Sequence, residues 1–299
     1  MNHVLFTKAI TSLRVGAGQG LGVIDLPIAR ERATNWPVIP GSSVKGVLRD
    51  ASRLEKSSEG RTKEDLADLD TKIAHIFGST TDKDARAGCL EVSDQRIVLF
   101  PVRSISGTFA YLTCSLALAR LRELYEAAKI EWMGPELRAL NLTKLGNRCY
   151  VTKESKLKIG ATVAFEDIDL DADTSQDEAL AKLGAFLGKA LDIETYRILE
   201  RLAVVSDSDF TYFAETATEM STKVTLNFET KTARGGMLRN EESVPPEAVF
   251  AGLALAKLID PKEQAQTAEF VFSLQGRTLQ FGSKASTGQG ICKLTVVSK

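Results

Sequence analysis

Segments with two different periodicities of apolar and polar positions alternate along the chain. Short alternating or continuous apolar runs, which are typical of strands, cover residues 3–13, 89–102 (two strands), 109–113, 202–205, 224–228, 277–281 and 290–297. Apolar residues spaced by three and four, which are typical of helices, follow Gly41 and recur within 64–72, 115–128, 177–191, 207–217 and 262–274. The pattern predicts an α+β fold in which helices pack on an antiparallel sheet.

The helix after Gly41 combines an apolar face with a basic ridge. Its apolar residues lie at i, i+3, i+4 and i+7 from Val44, and a basic residue stands at every fourth position of 45–53. Ser42 or Ser43 is predicted as the N-cap, because its hydroxyl can accept a hydrogen bond from a free amide of the first turn. A helix N-terminus with hydroxyls and nearby cations suits a phosphate group. The plain alternative is a capped amphipathic helix without a ligand.

Polar residues also predict where two later helices begin. Thr113 or Ser115 is expected to cap the helix that runs through about Ala128. Asp207 or Ser208 is expected to cap the helix that follows the buried strand at 202–205.

Composition limits the class of protein without naming a ligand. The 299 residues are 43% hydrophobic and 26% charged, which suits one large core or two modest ones. The formal net charge is −1, so any RNA-binding surface must be a local patch. No charged-then-apolar leader opens the chain and no apolar run is long enough for a bilayer, so no membrane partner is expected. The four scattered cysteines form no CxxC pair, which argues against a zinc site and favours the reducing cytoplasm.

Two charge runs of opposite sign follow one another in the middle of the chain. Residues 144–158 are strongly basic and residues 166–178 are strongly acidic. A solvated loop is the ordinary interpretation of such runs. A basic strand that faces RNA is the alternative for the first run, and the acidic run could meet a basic face of a neighbouring subunit.

Asp25 is the candidate catalytic residue. It stands in VIDLP, between a glycine-rich loop at 16–22 and the helix after Gly41, and its neighbours are apolar. Such a carboxylate can act as a general base or hold a divalent ion, although a lone aspartate in a loop can also serve a turn or a cap. The glycine-rich loop is not a dinucleotide fingerprint, because an extended proline-containing segment follows it. Only His3 and His75 are available for a histidine-based metal site, and no GxSxG motif supports a hydrolase triad.

A second glycine-rich segment, GSKASTGQG, covers residues 282–290. It fails the P-loop pattern GxxxxGKS/T because Lys284 follows Gly282 by two positions and the upstream glycine is missing. The segment is therefore either a plain hairpin loop or a cradle of backbone amides for phosphate, with Lys284 adding charge.

A projecting β-hairpin is predicted over about 222–245. Val224, Leu226 and Phe228 alternate as in a strand, ETKTARGG supplies a turn, and the chain returns from Met237.

The stretches PVIPGSSVKGVLR (37–49) and GLGVIDLPIARER (20–32) resemble the signature of the RAMP superfamily, the repeat-associated mysterious proteins of CRISPR effector complexes. Within that superfamily, the second stretch is similar to the backbone subunit of type III-B complexes. The resemblance is strong over 16–53, fair in LFPVRSISGTFAYLT and SDSDF, and weak in the variable insertions. It implies one domain over 1–299, with a ferredoxin-like or RRM-like core, long insertions and the predicted hairpin as its thumb.

The resemblance also implies a function and a set of site residues. The subunit would be repeated head to tail, bind crRNA and the other subunits of the complex, and cleave complementary target RNA as an endoribonuclease. Asp25 matches the catalytic aspartate of the family and would act as a base or as a ligand of Mg²⁺ or Mn²⁺, with no tightly bound cofactor. The residues implied in crRNA binding are Ser42, Ser43, Lys45, Arg49, Gly282, Ser283, Lys284, Thr287 and Gly288. The residues of the thumb that would meet the guide–target duplex are Lys231, Arg234, Met237, Leu238 and Arg239.

One departure from the family pattern and three alternative functions qualify this expectation. Many relatives carry a histidine just before the glycine-rich loop, where this chain has Leu13-Arg14-Val15, so Arg14 is expected to stabilise charge on the phosphate instead. A purely structural crRNA-binding subunit without cleavage is one alternative. The type III-A equivalent is another, disfavoured by the chain length and by the ARER stretch after Asp25. A small-molecule enzyme on a ferredoxin-like fold is the third.

Overall fold

A central strand, β1 (Asn2–Ala9), organises the fold. The computed structural model describes residues 2–18, 24–56, 63–79, 86–132, 145–233, 238–257 and 260–299. The other strands are β2 (Val38–Ile39), β3 (Leu90–Val92), β4 (Gln95–Arg103), β5 (Phe109–Cys114), β6 (Arg148–Val151), β7 (Lys158–Ile159), β8 (Thr162–Phe165), β9 (Ile168–Asp173), β10 (Leu202–Val205), β11 (Glu219–Lys223), β12 (Arg239–Ser243), β13 (Val249–Ala256), β14 (Thr278–Gln280) and β15 (Ile291–Ser298). The helices are α1 (Gly41–Lys56), α2 (Lys63–Phe77), α3 (Ser115–Ala128), α4 (Asp177–Leu191), α5 (Thr195–Leu199), α6 (Asp207–Thr216) and α7 (Pro261–Ser273).

Thirteen of the described strands form one sheet in the order β14-β15-β1-β13-β4-β5-β10-β6-β9-β8-β7, with β2 on β4 and β3 on β13. The neighbours are antiparallel except for the pairs β5–β10 and β6–β9. The predicted α+β class is therefore confirmed. No helix in the described ranges has the length and apolar character needed to cross a bilayer.

Helices cover both faces of the sheet, as the side chains of β1 show. Leu5 packs into a cluster with α1, α2, α6 and α7, whereas Val4 and Phe6 pack into a second cluster with α3 and α4. A strand that is buried on both faces needs apolar residues on both, which explains the nearly continuous apolar run of β1.

The start of α1 differs from the prediction. The helix begins at Gly41, so neither Ser42 nor Ser43 is its N-cap. The N–H of Gly41 donates to a carboxylate oxygen of Asp94 at 2.8 Å, and the carbonyl of Pro40 accepts from two further amides of the first turn. Most of the amides that were predicted to be free at this helix start therefore already have acceptors within the chain.

A side chain from a neighbouring helix also decides where α3 begins. The predicted caps of α3, Thr113 and Ser115, are wrong, because the Leu116 amide donates to the Asp207 carboxylate at 3.0 Å. Neither Asp207 nor Ser208, the two predicted caps, is the N-cap of α6. That position belongs to Ser206, whose hydroxyl accepts from the Asp209 amide.

The two charge runs lie side by side. Strand β6 of the basic run is parallel to β9 of the acidic run, so the solvated-loop interpretation is wrong for both of these segments. Arg148 pairs with Asp173 at 3.4 Å, and Lys153 pairs with Asp177 at 3.8 Å. The runs therefore neutralise one another in part within the chain.

The predicted hairpin is present, but its paired strands start earlier than expected. β11 and β12 form a separate two-stranded ladder with Glu219 opposite Ser243 and Lys223 opposite Arg239. The predicted strand at 224–228 is wrong, since this segment carries only an isolated bridge. The described residues 224–233 and 238 accordingly lie beyond the ladder, at the end of the hairpin.

Candidate nucleic-acid interface

Asp25 is held against β12 by its own side chain and by the main chain of the next residue, Leu26. The Asn240 amide donates to a carboxylate oxygen of Asp25 at 2.7 Å. The amide of Leu26 donates to the carbonyl of Asn240, and the carbonyl of Leu26 accepts from the amide of Glu242, both at 3.2 Å. The partner of Asp25 lies 215 positions away, so the aspartate serves no local turn or helix cap.

The carboxylate of Asp25 is exposed, and its other oxygen has no hydrogen-bond partner in the described part of the chain. One oxygen therefore fixes the orientation of the group, and the second is available to a ligand. This arrangement suits either a general base or a single metal ligand, so the two expected roles stay open.

Arg14 and Glu241, which are buried, and Lys284, which is exposed, form a charge cluster one residue along β12 from the amide that holds Asp25. The ammonium of Lys284 lies 2.9 Å from one carboxylate oxygen of Glu241. The Arg14 guanidinium lies 3.7 Å from the other oxygen. Arg14 is 4% exposed, so the expectation that it stabilises charge on a phosphate is wrong, because a bound RNA backbone cannot reach it.

The glycine-rich loop 282–290 is built onto the main chain of Arg14. Gly282 has a φ of +73°, and a Cβ there would lie 2.1 Å from the Arg14 carbonyl oxygen. The Ser283 amide donates to that same oxygen at 2.9 Å. Only glycine permits so close an approach at this φ, which fixes where the loop begins.

The exposed part of this loop presents unused amides. A short 3₁₀ turn covers Ala285–Thr287 and is flanked by left-handed residues at Lys284 and Gly288. The N–H groups of Lys284, Ala285 and Ser286 have no acceptor among the described residues. Successive free amides beside a lysine favour the anion cradle over the plain hairpin loop.

The groove beside α1 contains the other predicted RNA-binding residues. It has a volume of about 500 Å³ and is lined by Ser42, Lys45 and Arg49, while Ser43 is half-buried. Lys45 donates to a main-chain carbonyl at 2.9 Å, and Arg49 donates to the carbonyl of Gly78. Burial lowers the pKa of Lys45, with the charge of Arg49 acting in the same direction.

Arg86 is a cation of this groove that the sequence pattern did not reveal. It lines the groove opposite α1, and its guanidinium lies 2.5 Å from both carboxylate oxygens of Glu263. The position lies between the predicted helix within 64–72 and the predicted strands at 89–102, so no periodicity marked it.

The ARER stretch supports the scaffold of the site. Arg30 pairs with Glu242 at 2.5 Å, and Glu31 pairs with Arg96 and Arg120 at 2.9 and 2.8 Å. These contacts fasten the segment after Asp25 to β12, β4 and α3.

The end of the hairpin exposes apolar side chains. Phe228 is 85% exposed, and the Lys231 ammonium lies 4.3 Å from the centre of its ring. Leu238 and Arg239 are exposed as well, whereas the predicted Arg234 and Met237 lie outside the described residues. The sequence missed Phe228 as a candidate because its place in an alternating run suggested a half-buried strand.

The described lining of a cavity of about 670 Å³ at the base of the hairpin includes none of the predicted site residues. Its lining includes the carboxylates of Glu166, Asp167, Glu219 and Glu247 against a single arginine, Arg103. That charge balance is unfavourable to phosphate.

Comparisons with known proteins agree with the resemblance in the sequence. A model of the RAMP superfamily matches residues 7–293. The Pyrococcus furiosus protein named CRISPR system Cmr endoribonuclease Cmr4 is 32% identical over 294 residues, covering 96% of this chain and 92% of that protein. The crystal structure of oligomeric Cmr4 from Pyrococcus furiosus is similar with a TM-score of 0.76 at 26% identity, covering 99% of this chain and 98% of that one. A chain in the cryo-EM structure of the type III-B Cmr-beta complex bound to cognate target RNA shares the fold, with a TM-score of 0.77 at 19% identity and coverage of 99% and 97%.

Proposed function

This chain belongs to the RAMP superfamily and, within it, to the Cmr4 family, and on that premise we propose that it is the repeated crRNA-binding backbone subunit of a type III-B CRISPR ribonucleoprotein and cleaves complementary target RNA. The placement of Asp25 carries the proposal. An exposed carboxylate is held against β12, one residue from the cluster that contains Lys284 of the glycine-rich loop. A match over nearly the whole chain favours this function over that of the type III-A equivalent.

The crRNA backbone would bind at two surfaces. The first is the loop 282–288, where free amides and Lys284 offer hydrogen bonds and charge. The second is the groove beside α1 with Ser42, Lys45 and Arg49. Because α1 packs against β14, which leads into the loop, one RNA strand can contact both surfaces.

In cleavage, Asp25 would accept the proton of the target 2′-hydroxyl next to the scissile phosphate. The 2′-oxygen then bonds to phosphorus while the bond to the 5′-oxygen breaks, and water supplies a proton to the leaving oxygen. The products carry a 2′,3′-cyclic phosphate and a 5′-hydroxyl.

A divalent ion, when bound, would stabilise charge on the phosphate, and Asp25 is the residue that would hold it. The described residues contain no group of three His, Cys, Asp or Glu side chains that could hold a metal. A single carboxylate still fits Mg²⁺, which keeps several waters and takes further ligands from phosphate oxygens.

Copies of the chain would pack head to tail and contact the other Cmr subunits. A head-to-tail contact that does not close gives a filament, which suits a guide RNA bound along many copies. The setting would be the cytoplasm, since all four cysteines are buried free thiols.

Reconstitution with guide RNA and the other Cmr subunits tests this function, with target cuts mapped for the wild type and for Asp25→Asn. Asparagine keeps an oxygen for the Asn240 amide but is no base, so we expect target binding without cuts. Asp169→Asn is the matched control, because Asp169 is an exposed aspartate of β9, a strand that contributes no residue to the candidate site. Cuts by Asp25→Asn at the wild-type rate would assign the chemistry elsewhere, and a wild-type complex that binds but never cuts would support the purely structural alternative.

A further inference from the structure

The charge cluster of Arg14, Glu241 and Lys284 is unequal in exposure. The side chain of Glu241 is 2% exposed and that of Arg14 is 5% exposed, whereas that of Lys284 is 40% exposed. With two cations and one carboxylate, the cluster carries one surplus positive charge. Since Lys284 is its only substantially exposed member, that charge is available to an anion through Lys284 alone.

The contacts within the cluster are also unequal. Lys284 makes the close contact to Glu241, at 2.9 Å, while the Arg14 guanidinium stays at 3.7 Å from the other carboxylate oxygen. That oxygen and the Arg14 Nε have no hydrogen-bond partner in the described structure. A buried carboxylate is costly without a counter-ion, and Arg14 lies close enough to Glu241 to serve as that counter-ion if Lys284 turned away.

Lys284 stands where an anion would be held. Among the residues that the structure describes, its own amide and those of the next two residues lack acceptors. Its carbonyl accepts from Thr287 and Gln289, which closes the loop around it. A phosphate on these amides would lie near the Lys284 side chain and compete with Glu241 for the ammonium.

We propose that Glu241 is a positioning residue that sets the affinity of the glycine-rich loop for crRNA. In the free protein it holds Lys284 as a counter-ion. On binding, Lys284 transfers its contact to a guide phosphate, and Arg14 keeps the buried carboxylate neutralised. This inference rests on the proposed crRNA-binding function and adds to it a residue that touches no RNA.

The direction in which one substitution changes the affinity for crRNA tests the inference. Glu241→Gln removes the charge that competes with phosphate, so crRNA should bind more tightly, by roughly two- to fivefold, the factor of one partly exposed ion pair. A residue that only supports the loop would give the opposite sign, because loosening the loop weakens binding. The gain must also depend on Lys284: the double variant Glu241→Gln with Lys284→Gln should bind no more tightly than Lys284→Gln alone.

The measurement is a titration of the full-length protein with crRNA at fixed salt, alongside thermal melting. Because Glu241→Gln leaves Arg14 without a counter-ion, Arg14→Gln with Glu241→Gln serves as a second variant that has no unpaired buried charge and should show the same gain. Glu247→Gln, in the separate Lys8–Glu247 pair at 2.7 Å, is the matched control and should show none. Unchanged or weaker binding by both Glu241 variants overturns the inference alone, whereas a wild-type protein that does not bind crRNA overturns the proposed function and the inference with it.

Discussion

The amide of Asn240 donates a 2.7 Å hydrogen bond to the carboxylate of Asp25, across 215 positions of sequence. Asn240 lies in β12, the returning strand of the hairpin, so the hairpin base and the candidate catalytic group are fixed to one another. A change in the position of the hairpin base therefore moves the carboxylate relative to bound RNA.

Replacing Asp25 by alanine should abolish target cleavage and leave assembly and crRNA binding intact. Loss of a general base lowers a rate by about 10²- to 10⁴-fold, and loss of a negative charge near RNA does not weaken binding. Single-turnover cleavage and a target-protection assay measure the two effects separately. A rate partly restored by excess Mg²⁺ or Mn²⁺ would identify Asp25 as a metal ligand. Collapse of RNA binding would instead show that Asp25 supports the fold of its loop.

Replacing Lys45 by alanine should weaken crRNA binding at the groove beside α1. Each lost phosphate contact lowers the slope of log affinity against log salt by about 0.7 to 0.9. Arg53→Ala is the control, since Arg53 lies on the same basic ridge but pairs with Asp50 and does not line the groove. Binding titrations over a range of salt concentrations measure the slope, and equal slopes for Lys45→Ala and the wild type would remove Lys45 from the RNA interface.

Replacing Phe228 by alanine should disturb the position or the spacing of target cuts without lowering thermal stability. Its ring is exposed and contributes little to the core, but an apolar wedge can unstack bases at a cost of a few kcal/mol that new contacts offset. Phe272→Ala, at another exposed phenylalanine, controls for loss of surface apolar area. A normal cut pattern in Phe228→Ala, and again after shortening of the hairpin, would assign the hairpin to a subunit contact.

Replacing Gly282 by alanine should destabilise the protein more than replacing Gly288. Both residues have a positive φ, which costs an alanine roughly 1–2 kcal/mol. At Gly288 a Cβ would meet nothing within 4 Å, whereas at Gly282 it would lie 2.1 Å from the Arg14 carbonyl oxygen. Denaturant unfolding compares the two variants, and equal losses would show that the 12–16 segment moves away freely.

The sequence was sufficient for the elements whose periodicity is strong. Helix α4, with its leucines on one face, has the predicted bounds, and the α+β class follows from the same patterns. The helix starts were wrong wherever the capping group came from another part of the fold, as Asp94 does for α1 and Asp207 for α3. No local pattern encodes such a partner.

The same distinction between local sequence patterns and distant partners in the fold applies to the candidate site. Asp25 and Lys284 stood in short motifs that the sequence could mark, and their RNA-binding and catalytic roles remain predictions. Glu241 stood in an ordinary strand, and its importance comes from burial beside Arg14 and Lys284. Arg14 was assigned to the phosphate because it stands in the stretch where many relatives carry a histidine, and only the folded structure shows that it is buried.

The position of β1 at the centre of the sheet has a consequence for biosynthesis. Its ladder partners are β13 and β15, so β1 leaves the ribosome well before residues 249–298, with which it pairs. At about 5–20 residues per second, the 239 residues between the end of β1 and the start of β13 take about 12–48 s to synthesise. During that time an apolar strand with no partner on either edge must be shielded from aggregation, and the sheet next to loop 282–290 closes last.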